Sequence, residues 1–384
     1  MLYSAFDVVP SPKGASTHIT YFTRGLVEAG YHVQLVTAGD PALPERDSYC
    51  GAQVLRVPVG DDLNYLRRAL AFGQAVLRHV ESSLPYSIAH FRSIWEGWAL
   101  VQAQPRWGYK TLFEVNGLPG IELKYHYPEL KDDPLLAKIK RQEIVTLLLA
   151  DRIICPSAVT RAYIASLGVP REKISVIQNG VDTRLFTPQP IKEAARSPTL
   201  LYIGTLADWQ GLDVLVEATR ILAARRTVRL RIVGHGRGRQ RKELLKRVRK
   251  LGLAELVSVE AAVPHHAMPA LLAQADVCIA PLSYNDRNVT QGCCPLKLIE
   301  YMACGRPIVA SNLPVVRELA REDVDALLFT PDDPADLARC IQAILDNPAL
   351  AQGLAASAAG RAHTAFSWHA AQKKLLKVYS ELLR

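Results

Sequence analysis

Residues 292–305, GCCPLKLIEYMACG, contain the residue types best suited to chemistry. Pro295 is typical of the first position of a helix, where free N–H groups can bind a diphosphate. Lys297 adds a positive charge in that turn. Glu300 follows one turn later, where a carboxylate can accept hydrogen bonds from both hydroxyls of a ribose. The spacing therefore favours a nucleotide site, and the alternative is that Lys297 and Glu300 form exposed ion pairs.

Residues 11–18, SPKGASTH, follow a strand expected at the N-terminus, whose bounds we do not assign, and open a helix. Pro12, Gly14 and Ala15 keep side chains away from the backbone, so the helix N-terminus is open to an anion or an acceptor hydroxyl. His18 is expected on the first turn. A tight turn capped by a serine or threonine is an equally good interpretation of this segment alone.

A glycine-rich turn lies in residues 232–245, IVGHGRGRQRKELL, between a predicted strand and a helix. A dinucleotide fingerprint requires G-x-G-x-x-G in the first strand-helix unit of its domain. Here Gly238 comes one residue early, and the unit is the second of its half. We therefore favour a turn that lets a nucleotide approach, rather than a nicotinamide site.

Metal and cofactor sites have little support in the sequence. Asp323 and Asp325 have the spacing of metal-binding carboxylates, but they precede an apolar run in a polar turn. The seven cysteines include no C-x-x-C pair, which argues against structural zinc and disulfides. We predict no metal and no cofactor.

The charge of the chain favours an anionic partner. The net charge is +9, and residues 225–250 contain twelve basic residues and one acid, Glu243. This segment lacks aromatic residues that could stack on bases, and Leu244, Leu245, Val248 and Leu251 form an ordinary apolar stripe. We therefore predict a solvated helix face and no nucleic acid, with peripheral contact to an anionic membrane as the next interpretation.

The chain has neither an apolar run long enough to span a membrane nor a secretion signal at its start. We expect a cytoplasmic protein, with possible placement at the inner face of the membrane.

Short β-branched runs alternate with amphipathic segments in both halves of the chain, a pattern typical of α/β domains with parallel sheets and crossover helices. The predicted strands are residues 32–37, 54–57, 111–114, 152–155, 174–177, 199–203, 228–233, 257–259, 277–280 and 307–310. The predicted helices are residues 18–29, 63–81, 135–150 and 212–224.

A proline-rich segment, residues 187–198, separates the two halves and marks a linker. We predict a Rossmann-like domain at 1–188, a linker at 189–198 and a second Rossmann-like domain at 199–365. Residues 366–384 are predicted to form a C-terminal helix. Because such domains bind ligands at the carboxyl ends of their strands, two facing domains would place the site in a cleft between them.

Taken together, these segments resemble the retaining nucleotide-sugar glycosyltransferases of the GT-B fold, the family that includes sucrose-phosphate synthases and bacterial mannosyl- and glucosyltransferases. The resemblance covers nearly the whole chain. It depends on KGASTH, FEVNGLP (113–119), ICPS, VIQNGVD, WQGLDVLVEA, IVGHG, PLKLIEYMACGRPIVAS and FSWHAA.

The resemblance implies that the donor binds mainly to the second domain and that the C-terminal helix crosses back to the first. It implies a ribose-binding role for Glu300, and it places Asn116 where relatives often have a histidine near the reacting sugar. We expect catalytic roles for Lys297, Asn116 and His18. We expect Glu122 and His126 on the acceptor side. The expected donor-binding residues are Glu300, Gly14, Ala15, Gly204, Thr205, Gln210, Gly236, Val263, Asn288, Gln291, Gly292, Cys294, Pro295 and Leu296.

Three positions depart from the family pattern. Relatives often have Gly-Arg and Lys-Gly pairs around the diphosphate, whereas this chain has Gly204-Thr205 and Gln210-Gly211. The first of two glutamates spaced eight residues apart is replaced by Gly292. Arg287, Asn288, Gln291 and Lys297 are the expected replacements.

The resemblance implies transfer of a hexosyl group from a nucleoside diphosphate sugar to a hydroxyl acceptor, which could be a glycan, a lipid-linked molecule or a small molecule. Family precedent implies retention of configuration by same-face attack, with no metal. The alternatives are a non-catalytic subunit that binds a sugar nucleotide or a partner enzyme, and a nucleotide-sugar epimerase.

Overall fold

The chain forms two compact units in a computed structural model that describes residues 1–60, 64–83, 85–191 and 197–384. The first unit comprises Met1–Gln178, Gln291–Cys293 and His369–Arg384, and the second comprises the residues between them. The division at Gln178 differs from the predicted linker at 189–198, of which residues 192–196 lie outside the described part of the chain.

The first unit is built on a sheet of eight strands in the described residues, in the order β3-β4-β2-β1-β5-β6-β7-β8. Only the pairing of β3 with β4 is antiparallel among the pairings described. The strands are β1 (Leu2–Ala5), β2 (Gln34–Ala38), β3 (Arg46–Tyr49), β4 (Ala52–Val57), β5 (Ile88–Phe91), β6 (Lys110–Glu114), β7 (Arg152–Cys155) and β8 (Ile174–Val176).

Six helices connect these strands in the described residues, and a further helix ends the chain. They are α1 (Gly14–Glu28), α2 (Tyr65–Ser83), α3 (Ile94–Trp107), α4 (Pro119–His126), α5 (Pro134–Leu149) and α6 (Ala158–Ser166). The predicted start of α2 at Leu63 lies outside the described residues.

The second unit has a six-stranded parallel sheet in the order β11-β10-β9-β12-β13-β14 within the described chain. Its strands are β9 (Thr199–Ile203), β10 (Arg229–Val233), β11 (Val257–Glu260), β12 (Val277–Ala280), β13 (Ile308–Ser311) and β14 (Leu327–Phe329). Its helices are α7 (Leu212–Ala223), α8 (Gly238–Lys250), α9 (Met268–Leu272), α10 (Leu296–Ala303), α11 (Pro314–Arg317), α12 (Pro334–Asp346) and α13 (Pro348–Ala365).

The last helix, α14 (Trp368–Leu382), belongs to the first unit from His369 onward. Its Gln372 side chain donates a hydrogen bond to the Tyr21 carbonyl at 2.7 Å. The Tyr379 hydroxyl lies 2.7 Å from His90 Nδ1. These contacts connect the end of the chain to α1 and β5.

The predicted apolar stripes are found where the helices pack on their sheets. In α7 the residues Leu212, Leu215, Val216, Thr219 and Leu222 are all buried. Such a stripe holds a helix against a sheet because it removes apolar surface from water.

Helix α8 buries Leu244 and Val248, while Leu245 and Leu251 are half-buried. Most of its basic residues lie on the exposed face, as predicted for a solvated helix face.

The sequence prediction missed several elements and shifted others. Strand β3 was not predicted because its four residues, RDSY, are polar and mostly exposed. Helix α1 begins four residues before His18, which places His18 after the first turn rather than on it. Pro295 is the N-cap of α10, with an extended ψ of 104°, so the helix begins at Leu296 instead.

None of the helices formed by the described residues has both the length and the apolar character needed to cross a membrane.

Candidate functional site

Glu300 lies on α10 in the second unit and is 5% exposed. Its Oε1 atom lies 3.0 Å from His265 Nε2. The His265 ring packs against Phe186, with 5.1 Å between ring centroids. The alternative that Glu300 is a surface ion-pair former is therefore wrong, since its carboxylate is buried and oriented by a histidine from a neighbouring loop.

Lys297 is held by two groups from β9 and the loop after it. Its ammonium donates a hydrogen bond to Gln210 Oε1 at 2.5 Å. The ammonium also lies 4.0 Å from the centre of the Tyr202 ring, a distance at which a cation is attracted by the aromatic face. Lys297 is half-buried, so its charge is held at one place in the second unit.

The loop after β9 leaves room for this ammonium. Gly204 has a φ of +153°, and a Cβ added there would lie 2.8 Å from Lys297 Nζ. The Tyr202 hydroxyl donates to the Thr205 carbonyl at 2.6 Å, and Gln210 Nε2 donates to Thr205 Oγ1 at 3.4 Å. The structure thus brings Gly204, Thr205, Gln210 and Lys297 together, and their role toward a donor stays a prediction.

The ends of β9 and β10 approach each other closely. Gly204 N donates to the Val233 carbonyl at 3.0 Å, and Leu206 N donates to the His235 carbonyl at 2.9 Å. A Cβ added at Gly234 would lie 1.7 Å from the Gly204 carbonyl oxygen. A Cβ at Gly236 would lie 2.6 Å from Leu206 Cβ. These glycines therefore serve backbone packing beside the Lys297 cluster.

Replacing Gly234 by alanine should consequently destabilise the second unit. We expect its unfolding transition to shift down by about 3 to 10 °C, because overpacking typically costs about 1 to 3 kcal/mol. Gly238→Ala is the matched control, since a Cβ there meets nothing within 4 Å. Equal melting temperatures for the two variants in calorimetry would refute the close approach.

Three other residues that were predicted to bind the nucleotide-sugar donor lie in the second unit. Asn288 is fully buried and donates from Nδ2 to the Trp209 and Ser283 carbonyls at 2.9 and 2.8 Å. The Cys294 carbonyl accepts from Asn179 Nδ2 at 2.7 Å. Val263 is half-buried in the loop between β11 and α9. Their roles toward a donor stay predictions.

Gln291 and Gly292 group with the first unit. Gln291 Oε1 accepts from Leu118 N at 3.1 Å, and its Nε2 donates to Glu122 Oε1 at 2.9 Å. Gly292 has a φ of +80°, and a Cβ there would lie 2.9 Å from Ser157 Oγ. The close fit at Gly292 gives a structural reason for a glycine at this position.

In the first unit, the polar residues converge on Glu114, a buried carboxylate that the sequence prediction did not name. Glu114 ends β6, and His90 and Arg92 come from the neighbouring strand β5 and the residue after it. Glu114 Oε1 lies 2.7 Å from His18 Nε2 and 3.0 Å from Arg92 Nε. It also accepts a hydrogen bond from Asn116 Nδ2.

The other oxygen of Glu114 faces the core of the unit. Oε2 accepts from the Tyr3 hydroxyl at 2.8 Å and lies 3.1 Å from His90 Nε2. Burial by itself would raise the pKa of Glu114, but the charge of Arg92 and the imidazole of His18 hold this pKa well below its usual range. Glu114 is therefore an ionised acceptor at neutral pH.

The remaining first-unit candidates lie at the start of α1 and on α4. Gly14 and Ala15 form the start of α1, and Glu122 and His126 lie one turn apart on α4. A Cβ at Gly117 would lie 2.5 Å from Glu122 Oε2, so Glu122 packs directly under the loop that follows Asn116.

The sequence prediction also missed Arg92, His90, Tyr202 and His265. A charged residue within or directly after a buried strand was the available signal for Glu114 and Arg92, because a buried charge requires partners. Nothing local in the sequence marks Tyr202 or His265. Asp325, considered as a metal ligand, instead accepts hydrogen bonds from Arg321 Nε at 2.8 Å and from Ser357 Oγ at 2.8 Å.

Comparison with known proteins identifies relatives for both units. Residues 12–185 match the family model "Glycosyltransferase Family 4", and residues 197–347 match the model "Glycosyl transferases group 1". The D-inositol 3-phosphate glycosyltransferase of Thermobispora bispora is 26% identical, over 96% of this chain and 90% of the relative.

Solved structures show the same fold. Sucrose-phosphate synthase from Thermosynechococcus elongatus superposes with a TM-score of 0.84 at 21% identity, covering 100% of this chain and 99% of the other. Anabaena HepE in complex with UDP and glucose gives 0.78 at 17% identity, covering 99% of each chain. Since the two family models together match most of the chain and the structures share its α/β architecture, the protein belongs to the GT-B-fold glycosyltransferases.

Proposed function

We propose that the protein transfers a hexosyl group from a nucleoside diphosphate sugar to a hydroxyl acceptor, with retention of anomeric configuration and without a bound metal. The observation that carries this proposal is the second-unit cluster, in which a buried carboxylate and a positioned ammonium lie on the same short helix. A carboxylate suits the ribose hydroxyls of a nucleoside diphosphate, and an ammonium suits its phosphates.

Lys297 would stabilise the departing diphosphate. In the reaction the bond between the anomeric carbon and the diphosphate oxygen breaks, the oxygen of the acceptor hydroxyl bonds to that carbon on the same face, and the hydroxyl proton passes to the departing diphosphate. Negative charge grows on the leaving group, where a fixed cation and the N-terminus of α10 act without reorganisation. Gln210 and Tyr202 hold the ammonium in place before the donor arrives.

Glu300 would bind the ribose. A carboxylate accepts hydrogen bonds only, so both ribose hydroxyls can donate to it. The contact with His265 fixes its orientation. The donor base is proposed to be uracil or adenine, since HepE binds UDP-glucose and starch synthase IV binds ADP.

The acceptor is proposed to bind near Asn116, Glu122, His126 and His18 in the first unit. D-inositol 3-phosphate is the natural first candidate, because curated relatives that span nearly the whole chain are named for it.

The test is product formation from UDP-glucose or ADP-glucose and D-inositol 3-phosphate, with EDTA present. An axial anomeric linkage in the NMR spectrum of the product, matching that of the donor, supports retention. An equatorial linkage would refute retention, and loss of all turnover with EDTA would refute metal independence.

The non-catalytic alternative has one specific observation behind it. Thr205 and Gln210 stand where relatives often place cations around the diphosphate. Donor binding without any product across a panel of acceptors would favour that alternative. Isomerisation of the free donor would instead indicate an epimerase.

A peripheral contact with anionic membranes is a separate prediction. Lys242, Lys246 and Lys250 are exposed on α8. Replacing all three by glutamine should weaken retention on phosphatidylglycerol vesicles at low salt by about 100-fold, at about fivefold for each cation removed.

The matched control replaces Lys373, Lys374 and Lys377, three exposed lysines of α14. In a sedimentation assay with phosphatidylglycerol vesicles, the α8 triple variant should be retained less than the α14 triple variant. Equal retention of wild type on neutral and anionic vesicles would exclude the contact.

A further inference from the structure

Glu114 is the point at which two predicted reaction-site residues meet. His18 and Asn116 come from different elements, α1 and the loop after β6, yet both contact the same oxygen, Oε1. The carboxylate is 2% exposed, so it does not itself reach a substrate in this structure. Any influence on the reaction must pass through its neighbours.

The contact with Glu114 fixes the orientation of the Asn116 amide. An ionised carboxylate accepts hydrogen bonds only, so it selects the NH₂ end of the amide. The other end, Oδ1, is thereby turned away from Glu114. Among the described residues no donor bonds Oδ1, and Asn116 is half-buried rather than enclosed. The side chain thus presents a hydrogen-bond acceptor toward its open side.

The same carboxylate contacts a buried histidine deeper in the unit. His90 Nε2 lies 3.1 Å from Oε2. Burial lowers the pKa of His90, and the Nδ1 atom of its ring lies 2.7 Å from the Tyr379 hydroxyl. Tyr3, stacked on His90 with 4.3 Å between centroids, donates to the same oxygen. Glu114 is therefore contacted by residues of β1 and β5, and His90 connects it to α14.

We infer that Glu114 is a positioning residue that orients Asn116 as a hydrogen-bond acceptor for a hydroxyl of the reacting sugar or of the acceptor. This inference rests on the proposed function, since it assigns Asn116 to the reacting groups. It makes the site specific for ligands that donate a hydroxyl at this position, because a deoxy or O-methylated ligand leaves Oδ1 without a partner.

The activity test uses Glu114→Gln, which keeps the shape of the side chain and removes its charge. In this variant an NH₂ group replaces one of the two carboxylate oxygens. The groups that donated hydrogen bonds to that oxygen then face another donor, so those hydrogen bonds are lost. We expect kcat for UDP release from UDP-glucose to fall about 100-fold, while the Kd for UDP stays within about twofold of wild type. Asp325→Asn is the matched control, as another buried carboxylate held by an arginine, and it should leave both values unchanged.

A double-mutant cycle separates positioning from general structural damage. If Glu114 acts through Asn116, Glu114→Gln should lower kcat only a few-fold further in the Asn116→Ala background. The inference would be overturned if the two substitutions lowered kcat by independent factors that multiply in the double variant. It would also be overturned if Glu114→Gln weakened UDP binding by as large a factor as it lowers kcat. If Glu114→Gln does not fold, Glu114→Asp takes its place in the cycle, since it keeps the charge and withdraws it by one methylene. Its kcat should lie between those of wild type and Asn116→Ala.

A second readout does not depend on activity. The side-chain amide protons of Asn116 should exchange slowly in the NMR spectrum of wild type and at least tenfold faster in the Glu114 variant. Fast exchange in wild type would overturn the inference even if the enzyme is active. Slow exchange in a wild type that turns over neither UDP-glucose nor ADP-glucose would instead count against the proposed function and leave the geometry of Glu114 intact.

Discussion

Replacing Lys297 by alanine should lower kcat about 10²- to 10³-fold, with a much smaller change in the KM for the donor. Removal of one preorganised donor to a developing negative charge typically has an effect of this size. The structure supports such preorganisation because Gln210 and Tyr202 already hold the ammonium. Steady-state kinetics with UDP-glucose or ADP-glucose measure both constants.

Lys297→Met gives a sharper comparison, because it keeps an unbranched stem over Tyr202 and removes only the charge. The two variants should lose similar amounts of kcat. Arg220→Ala, on the exposed face of α7, is the control and should behave as wild type. If both Lys297 variants kept wild-type turnover, the N-terminus of α10 or another cation would have to stabilise the departing diphosphate instead.

Replacing Glu300 by alanine should weaken donor binding by about 1.5 to 3 kcal/mol, the usual contribution of hydrogen bonds to a charged group. The Kd for the nucleoside diphosphate should rise about 10- to 150-fold. The loss should appear equally with the diphosphate alone and with the full donor, since the lost contact is to the ribose. Isothermal calorimetry measures both.

Glu300→Gln should have a smaller effect, because its carbonyl oxygen can still accept one ribose hydroxyl. Glu217→Ala, a glutamate on α7 paired with Arg220, is the control for loss of a negative charge. An unchanged Kd in Glu300→Ala would remove this residue from the site. If Glu300→Ala weakened binding of the full donor but not of the diphosphate alone, Glu300 would contact the transferred sugar rather than the ribose.

The sequence was sufficient to predict the fold because its strongest patterns are local. Strands 152–155, 199–203 and 277–280 have the same bounds in the structure as in the prediction. Helix α7 follows its apolar stripe from Leu212 to Ala223. Strand β3 is the counterexample, since an exposed polar edge strand depends on pairing with β4 rather than on its own residues.

Residues of the site could be predicted only where suitable residue types stand at a suitable spacing within one segment of the sequence. Lys297 and Glu300 stand on one helix, so their spacing was visible. Glu114, His90 and Arg92 come together because β5 and β6 are neighbours in the sheet, and that pairing is not encoded locally. His265 reaches Glu300 across 35 positions of sequence. A single sequence gives no signal for such a contact.

Donor binding is tested most directly by calorimetric titration of the purified protein with UDP, ADP and GDP in the presence of EDTA. We expect UDP or ADP to bind at a single site without metal, and we expect Glu300→Ala to weaken this binding at least tenfold. Absence of binding by all three diphosphates would contradict the proposed transfer reaction and would favour a GT-B protein without a functional donor site.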